Sequence, residues 1–240
     1  TRLDALLQPE PGGRYLDVGC GTGNYTVSLA ARGLPIVGVD QSTTMLRAAQ
    51  AKDPRVAWRR GDVVALPFRN GAFRGAVCTL AIHHFLDLRA AFAEVSRVLA
   101  RGRFVIFTAM PEQMGRYWLG AYFPRMLERS VDQMPGLTTV ETALAEAGLQ
   151  LVGVEPWDVP PDLTDRFFYA GKHRPELYLD PEVRRGISSF RKLVDAGELE
   201  AGLARLRADI RTGQIMDVIA AHAHPGGDYS FVVAEKTAVG

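Results

Sequence analysis

Asp17, Gly19, Gly21 and Gly23 stand together in the run Leu16-Asp17-Val18-Gly19-Cys20-Gly21-Thr22-Gly23. Glycines at alternate positions allow positive φ and let a ligand come close to the main chain. The carboxylate ahead of them narrows the ligand. A diphosphate held at a helix N-terminus would be repelled by Asp17, whereas a ligand carrying an ammonium group would be attracted. Asp40 closes the run Val37-Gly38-Val39-Asp40 and precedes Gln41. A carboxylate there can accept both hydroxyls of a ribose, through charge-assisted bonds worth roughly 1.5–3 kcal/mol each. Asp40 alone also suits a nicotinamide dinucleotide. Asp62, in Gly61-Asp62-Val63, can receive the amino group of an adenine. Three acids around one glycine turn are far more selective than any one of them. His83 and His84 follow an apolar run, where a neutral imidazole is a plausible base. His83 is the candidate catalytic residue. Cys20, Cys78, His222 and His224 lack partners at metal-ligand spacing, so no metal is expected.

The elements that must position these residues are read from the hydrophobic pattern. Short apolar runs at Tyr15–Val18, Pro35–Val39, Val56–Trp58, Phe73–Leu80 and Arg103–Ala109 alternate with helical patterns. The helix Thr43–Lys52 is capped by Ser42, and another is capped by Asp87, with Leu88, Ala91, Phe92, Val95, Val98 and Leu99 on one face. Nearly continuous apolar strands belong to parallel sheets covered by helices. The chain therefore reads as α/β, a doubly wound and mostly parallel sheet. Ligands of such sheets collect outside the carboxyl ends of the strands, where Asp17 and the glycines, Asp40, Asp62 and His83 all fall.

After residue 110 the rhythm changes. Met114–Val131 is aromatic-rich and helical, interrupted by Pro124. Thr138–Glu141 has the form of a capping box, Gly148 ends that helix, and Leu149–Val154 reads as a sixth strand. Before the last strand, Tyr229–Glu235, come two more helices. One runs from Asp180-Pro181 through Val183, Ile187, Phe190 and Val194. The other carries Leu199, Leu203, Leu206 and Ile210 and stops near Gly213. The organisation expected is a core of residues 1–155 plus 226–240, with a helical, aromatic cap of 111–136 and 156–225 over the substrate site. Tyr117, Trp118, Tyr169 and His173 are its candidate substrate contacts. The bland alternative is that the aromatics are the cap's own core.

Composition bounds the function. The 240 residues include 47% hydrophobic and 23% charged residues, enough for a sizeable core. Lys+Arg 28 against Asp+Glu 27 leaves a net charge of +1. Charges within 156–225 nearly cancel, so no basic stripe invites a nucleic acid. Two cysteines form no disulfide framework and suit a reducing, cytoplasmic setting. No apolar run is long enough for a membrane span, and the N-terminus carries no signal-peptide pattern.

On Leu16–Gly23, Val37–Gln41, Gly61–Phe68, Thr79–Phe85 with its Ile82-His83-His84, and Phe104–Phe107, the chain resembles the class I S-adenosylmethionine-dependent methyltransferases. The likeness is to the broad small-molecule group with a type 11-like domain. It covers roughly residues 12–110 well. It implies a seven-stranded Rossmann-like sheet, a helical cap inserted before the last strand, and methyl transfer from S-adenosyl-L-methionine to a small, partly apolar acceptor. By the same resemblance Asp17, Gly19, Gly21 and Gly23 hold the methionine part of the cofactor, with Asp17 and Gly19 at its amino group. Asp40 and Gln41 serve the ribose, Met45, Asp62 and Val63 frame the adenine, and Leu80 lies near the methionyl end. Two other readings use the same motifs: an NAD-dependent oxidoreductase, and a non-catalytic protein that binds S-adenosylmethionine.

Overall fold

The computed structural model describes residues 2–163, 165 and 167–237. Seven strands form one sheet in the order β3-β2-β1-β4-β5-β7-β6. They are β1 Tyr15–Val18, β2 Ile36–Asp40, β3 Ala57–Arg60, β4 Gly75–Thr79, β5 Gly102–Thr108, β6 Gln150–Trp157 and β7 Tyr229–Lys236. β1 pairs in parallel with both β2 and β4, β2 with β3, and β4 with β5, while β7 runs antiparallel to β5. The strand order reverses direction at β1, which makes the gap between β1 and β4 a topological switch point. β1 and β4 are buried at every residue, which is why they read as mostly apolar runs, with Asp17 the one charged residue in β1.

Helices α1 Arg2–Leu7, α2 Asn24–Ala30, α3 Thr43–Lys52 and α4 Leu88–Val98 accompany the parallel strands. The caps fall where the sequence places them. Ser42 Oγ accepts from Met45 N at 3.3 Å, and Asp87 Oδ1 accepts from Ala90 N at 3.0 Å. α4 buries Ala91, Phe92, Val95 and Val98, and Phe92 meets Phe104 of β5 edge-on at 5.4 Å.

The chain divides into two compact units. Unit 1 holds the residues up to Thr108, Pro135–Glu155 and those from Ser230 onward; unit 2 holds Ala109–Met134 and Pro156–Tyr229. Three local expectations are corrected. Pro124 does not interrupt a helix but opens one, Pro124–Val131, at the position where a missing N–H costs nothing. Glu198 Oε1 caps that helix by accepting from Arg125 N at 2.7 Å and Met126 N at 3.1 Å. Thr138 is not an N-cap: the helix Leu137–Glu146 is capped two residues earlier by the extended Gly136. Once its own backbone is helical, Thr138 is past the cap position, and its carbonyl accepts from Thr142 Oγ1 at 2.8 Å. The single helix read through Val183 and Val194 is two, Pro181–Gly186 and Ser188–Lys192, because Ile187 between them is extended. The helix Ile215–Ala221 has no cap signal and went unread.

Candidate active site

The loop after β1 is built by three glycines with different jobs. All three have positive φ: Gly19 +70°, Gly21 +53° and Gly23 +76°. A Cβ on Gly19 would lie 2.8 Å from the Ala81 Cβ, and one on Gly23 would lie 2.4 Å from the Trp58 ring. Those two positions are closed by packing. A Cβ on Gly21 would meet nothing within 4 Å. Gly21 is thus the position where the turn borders open space.

The turn is tied to β2. Gly19 N and Cys20 N both donate to Val39 O, at 2.9 and 3.0 Å, and Gly23 N donates to Cys20 O at 2.9 Å. Asp40, at the end of β2, accepts from Gly21 N at 2.9 Å through Oδ2 and from Ser42 N at 2.8 Å through Oδ1. One carboxylate therefore fixes the glycine turn and the entry to α3. Each oxygen keeps a second lone-pair site for a ligand hydroxyl. By taking the Gly21 amide, Asp40 also removes a donor that a diphosphate would need.

Asp17 differs from the sequence expectation. It lies within β1, is fully buried, and receives Thr26 Oγ1 on Oδ2 at 2.5 Å. Its Oδ1 is buried without a hydrogen-bond partner among the described residues. Burial is the main reason its pKa rises from 3.8 to about 7; the bond from Thr26 opposes the rise and the nearby charge of Asp40 adds to it. The group is thus poised between neutral and charged near pH 7 rather than permanently ionised.

Asp62 is exposed, and its Oδ1 accepts from Val64 N at 3.2 Å. Val63 and Met45 are half-buried, and Gln41 is exposed, with its carbonyl accepting from Arg60 Nε at 3.4 Å. Leu80, directly after β4, has φ +54° and donates its N–H to Phe107 O at 2.8 Å. A leucine in that region carries strain of about 1–3 kcal/mol, of the kind that collects at functional sites. The single 3₁₀ turn Ile82–His84 follows, with the His83 and His84 rings tilted against each other at 3.9 Å between centroids. The parallel strands thus gather Asp40, Asp62, the glycine turn, Leu80 and His83 at one edge of unit 1, with Asp17 beneath the turn.

Sequence reasoning missed the supports. Trp58 fills the space that side chains on Gly23 and Gly38 would occupy, with an added Cβ on Gly38 lying 2.5 Å from its ring. Its Nε1 donates to Asp53 O at 3.0 Å. Thr26, the partner of Asp17, lies one turn into α2 and gives no motif signal.

Unit 2 uses its aromatics differently. Tyr117, Trp118 and Tyr169 are all buried. Tyr117 stacks on Tyr169 at 3.9 Å, its hydroxyl meets that of Tyr178 at 2.6 Å, and Tyr178 donates to Phe168 O at 2.6 Å. Trp118 Nε1 donates to Lys172 O at 3.2 Å. These side chains form the unit's own core, the bland alternative of the sequence reading. His173 is exposed, and its Nε2 pairs with Val159 O at 2.8 Å.

Residues 16–107, from β1 to β5, match the family described as a methyltransferase domain. A demethylmenaquinone methyltransferase from Thermus thermophilus is 30% identical over 177 residues, which are 62% of this chain and 79% of that protein. The chain belongs to the class I S-adenosylmethionine-dependent methyltransferases. The NAD-dependent oxidoreductase reading is set aside by that membership. This methyltransferase is also similar to a malonyl-[acyl-carrier protein] O-methyltransferase from Serratia marcescens, 28% identical over 63% of this chain, and it spans 59% of that relative's length. Among solved structures, a protein described as a methyltransferase of an antibiotic biosynthesis pathway from Anabaena variabilis ATCC 29413 aligns with TM-score 0.86. It is 33% identical, over 97% of this chain and 94% of its own. A geranyl diphosphate C-methyltransferase from Streptomyces coelicolor A3(2) aligns with TM-score 0.58 at 20% identity, over 98% of this chain and 73% of its own, a likeness of fold.

Proposed function

We propose that this methyltransferase binds S-adenosyl-L-methionine along the carboxyl ends of β1, β2 and β3 and methylates a small, partly apolar acceptor. When bound, the cofactor supplies a methyl group already activated on sulfonium. The observation that carries the reading is the joint arrangement of Gly21, open to space, and Asp40, which has lone pairs to spare beside it. Asp40 binds the ribose, beside Gln41. Asp62, Val63 and Met45 frame the base. Gly21 admits the methionyl part, near Leu80, while Gly19 and Gly23 shape the turn that receives it. The unpartnered Oδ1 of Asp17 fits a cationic group, since a positive charge at the turn is the counter-charge that this buried oxygen lacks.

The chain's main work is to align the acceptor with the methyl and exclude water, a positional effect that supplies roughly 7–11 kcal/mol in well-oriented reactions. His83 takes a proton where the acceptor is a hydroxyl, a contribution of about 10²–10⁴-fold. Within unit 2, Tyr117, Trp118 and Tyr169 hold the unit rigid, and His173 is an exposed ring. The acceptor class draws support from relatives named for demethylmenaquinone, malonyl-[acyl-carrier protein] and geranyl diphosphate. Nearly balanced charge argues for a small molecule over a nucleic acid. Free, buried Cys20 and Cys78 suit a reducing cytoplasm. Among the described residues no helix is long and apolar enough to cross a membrane. A methyl-transfer assay across quinol, thioester-linked carboxylate and prenyl acceptors tests the reading. It predicts turnover on one apolar class and none on RNA. Cofactor binding without turnover of any acceptor would favour the non-catalytic alternative.

A further inference from the structure

The loop carrying Asp62 and Val63 is held by one ion pair on α4. Glu94 Oε2 accepts from Leu66 N at 2.7 Å. Arg97 binds Glu94 through Nε at 2.6 Å and Nη2 at 2.8 Å. The same guanidinium donates to Leu66 O at 3.0 Å, Phe68 O at 2.8 Å and Asn70 Oδ1 at 2.9 Å. Both polar groups of the Leu66 backbone are therefore pinned by this pair. The backbone of Arg97 adds another tie, accepting from Gly71 N at 3.0 Å. Upstream, the loop folds back so closely that a Cβ on Gly61 would lie 2.6 Å from Pro67. Asp62 and Ala65 form an isolated bridge, with Ala65 N donating to Asp62 O at 3.1 Å. The Asp62 side chain is exposed and holds only a local contact from Val64 N among the bonds described. Its place is thus set by the short segment between the bridge and Leu66, and Leu66 is set by Glu94 and Arg97.

We infer that Glu94 and Arg97 are positioning residues for recognition of the cofactor base, acting through Leu66 on the placement of Asp62 and Val63. The inference rests on the reading of those two residues as the adenine frame. A planar fork that meets five acceptor sites has no substitute in lysine, whose ammonium is a point charge on a flexible stem. The bonds from the same guanidinium lower the pKa of Glu94 below its usual value.

The test compares calorimetric binding of S-adenosylhomocysteine with that of S-inosylhomocysteine, which carries an oxygen in place of the adenine amino group. The unaltered protein should prefer the adenine compound at least tenfold. Arg97→Lys should weaken binding of S-adenosylhomocysteine about tenfold and cut the preference at least threefold. Glu94→Gln, a milder change, should do the same to a lesser degree and serves if the arginine variant does not fold. A lowered melting temperature with the preference intact in both variants would make the pair merely structural and overturn the inference. If Asp62→Ala abolishes the preference while both variants on α4 keep it, the inference fails and the adenine frame stands. If the unaltered protein shows no preference, the adenine frame fails, and the inference falls with it.

Discussion

The two units place their polar atoms in opposite ways. In unit 1 the carboxylates of Asp40 and Asp62 sit where strands end, half-buried or exposed, with acceptor capacity left over. In unit 2 the hydroxyls of Tyr117 and Tyr178 are fully buried and bonded to each other and to Phe168 O. A polar group with capacity to spare at a strand end is available to a ligand. A polar group consumed inside a core serves rigidity and uniqueness of packing. Residue type alone does not separate the cases, since an aromatic cluster reads equally as a pocket wall or as a core.

Asp17 departs from that pattern, a buried acid in unit 1 with one oxygen unpartnered among the described residues, as Glu198 Oε2 is in unit 2. The pKa of Asp17 is raised, so between pH 3.8 and about 7 the folded chain holds a proton that the unfolded chain has lost. Stability therefore falls as pH rises through that window and levels off above it, by on the order of 4 kcal/mol. Asp17→Asn should abolish that decline, seen as urea midpoints that no longer drop between pH 4 and pH 8. An unchanged decline would remove Asp17 as its source.

Next in size, His83→Ala should lower turnover of a hydroxyl acceptor by about 10²-fold or more while cofactor affinity stays within twofold. Full activity would leave His83 as a loop-packing residue. Asp40→Ala should weaken binding of S-adenosylhomocysteine at least tenfold, and unchanged affinity would contradict its ribose role. Among the glycines the effects should split. Gly21→Ala should cost about 1 kcal/mol for its left-handed backbone yet weaken cofactor binding several-fold. Gly23→Ala should chiefly destabilise the fold through its clash with Trp58. Smallest, Tyr117→Phe should cost about 1 kcal/mol for one lost buried hydrogen bond and leave cofactor binding untouched. A large loss of cofactor affinity there would break the division of labour between the units.

Much of unit 1 was legible because its signals are local. A strand buried at both faces reads as an apolar run. Ser42 and Asp87 cap their helices through contacts three residues away, and Asp40 stands where β2 stops. Trp58, Thr26, Glu94 and Arg97 were missed because their partners are distant in sequence, as when Arg97 holds Phe68 O. In unit 2 one helix start depends on such a distant group, whereas Asp180 and Asp195 cap their helices locally. Pro124 opens a helix whose cap comes from Glu198, so Pro124 read in isolation suggests a break. The burial of Tyr117 and Tyr169 is likewise set by their stacking on each other across 52 residues of chain.

The central claim, that the edge of unit 1 built on Gly21 and Asp40 is a cofactor site, is tested most directly by titrating the protein with S-adenosylhomocysteine in a calorimeter at pH 6 and pH 8. The account predicts one site per chain and tighter binding at pH 8, because the ammonium group of S-adenosylhomocysteine favours the ionised form of Asp17. Absence of heat at millimolar S-adenosylhomocysteine, together with tight binding of NADH, would contradict it.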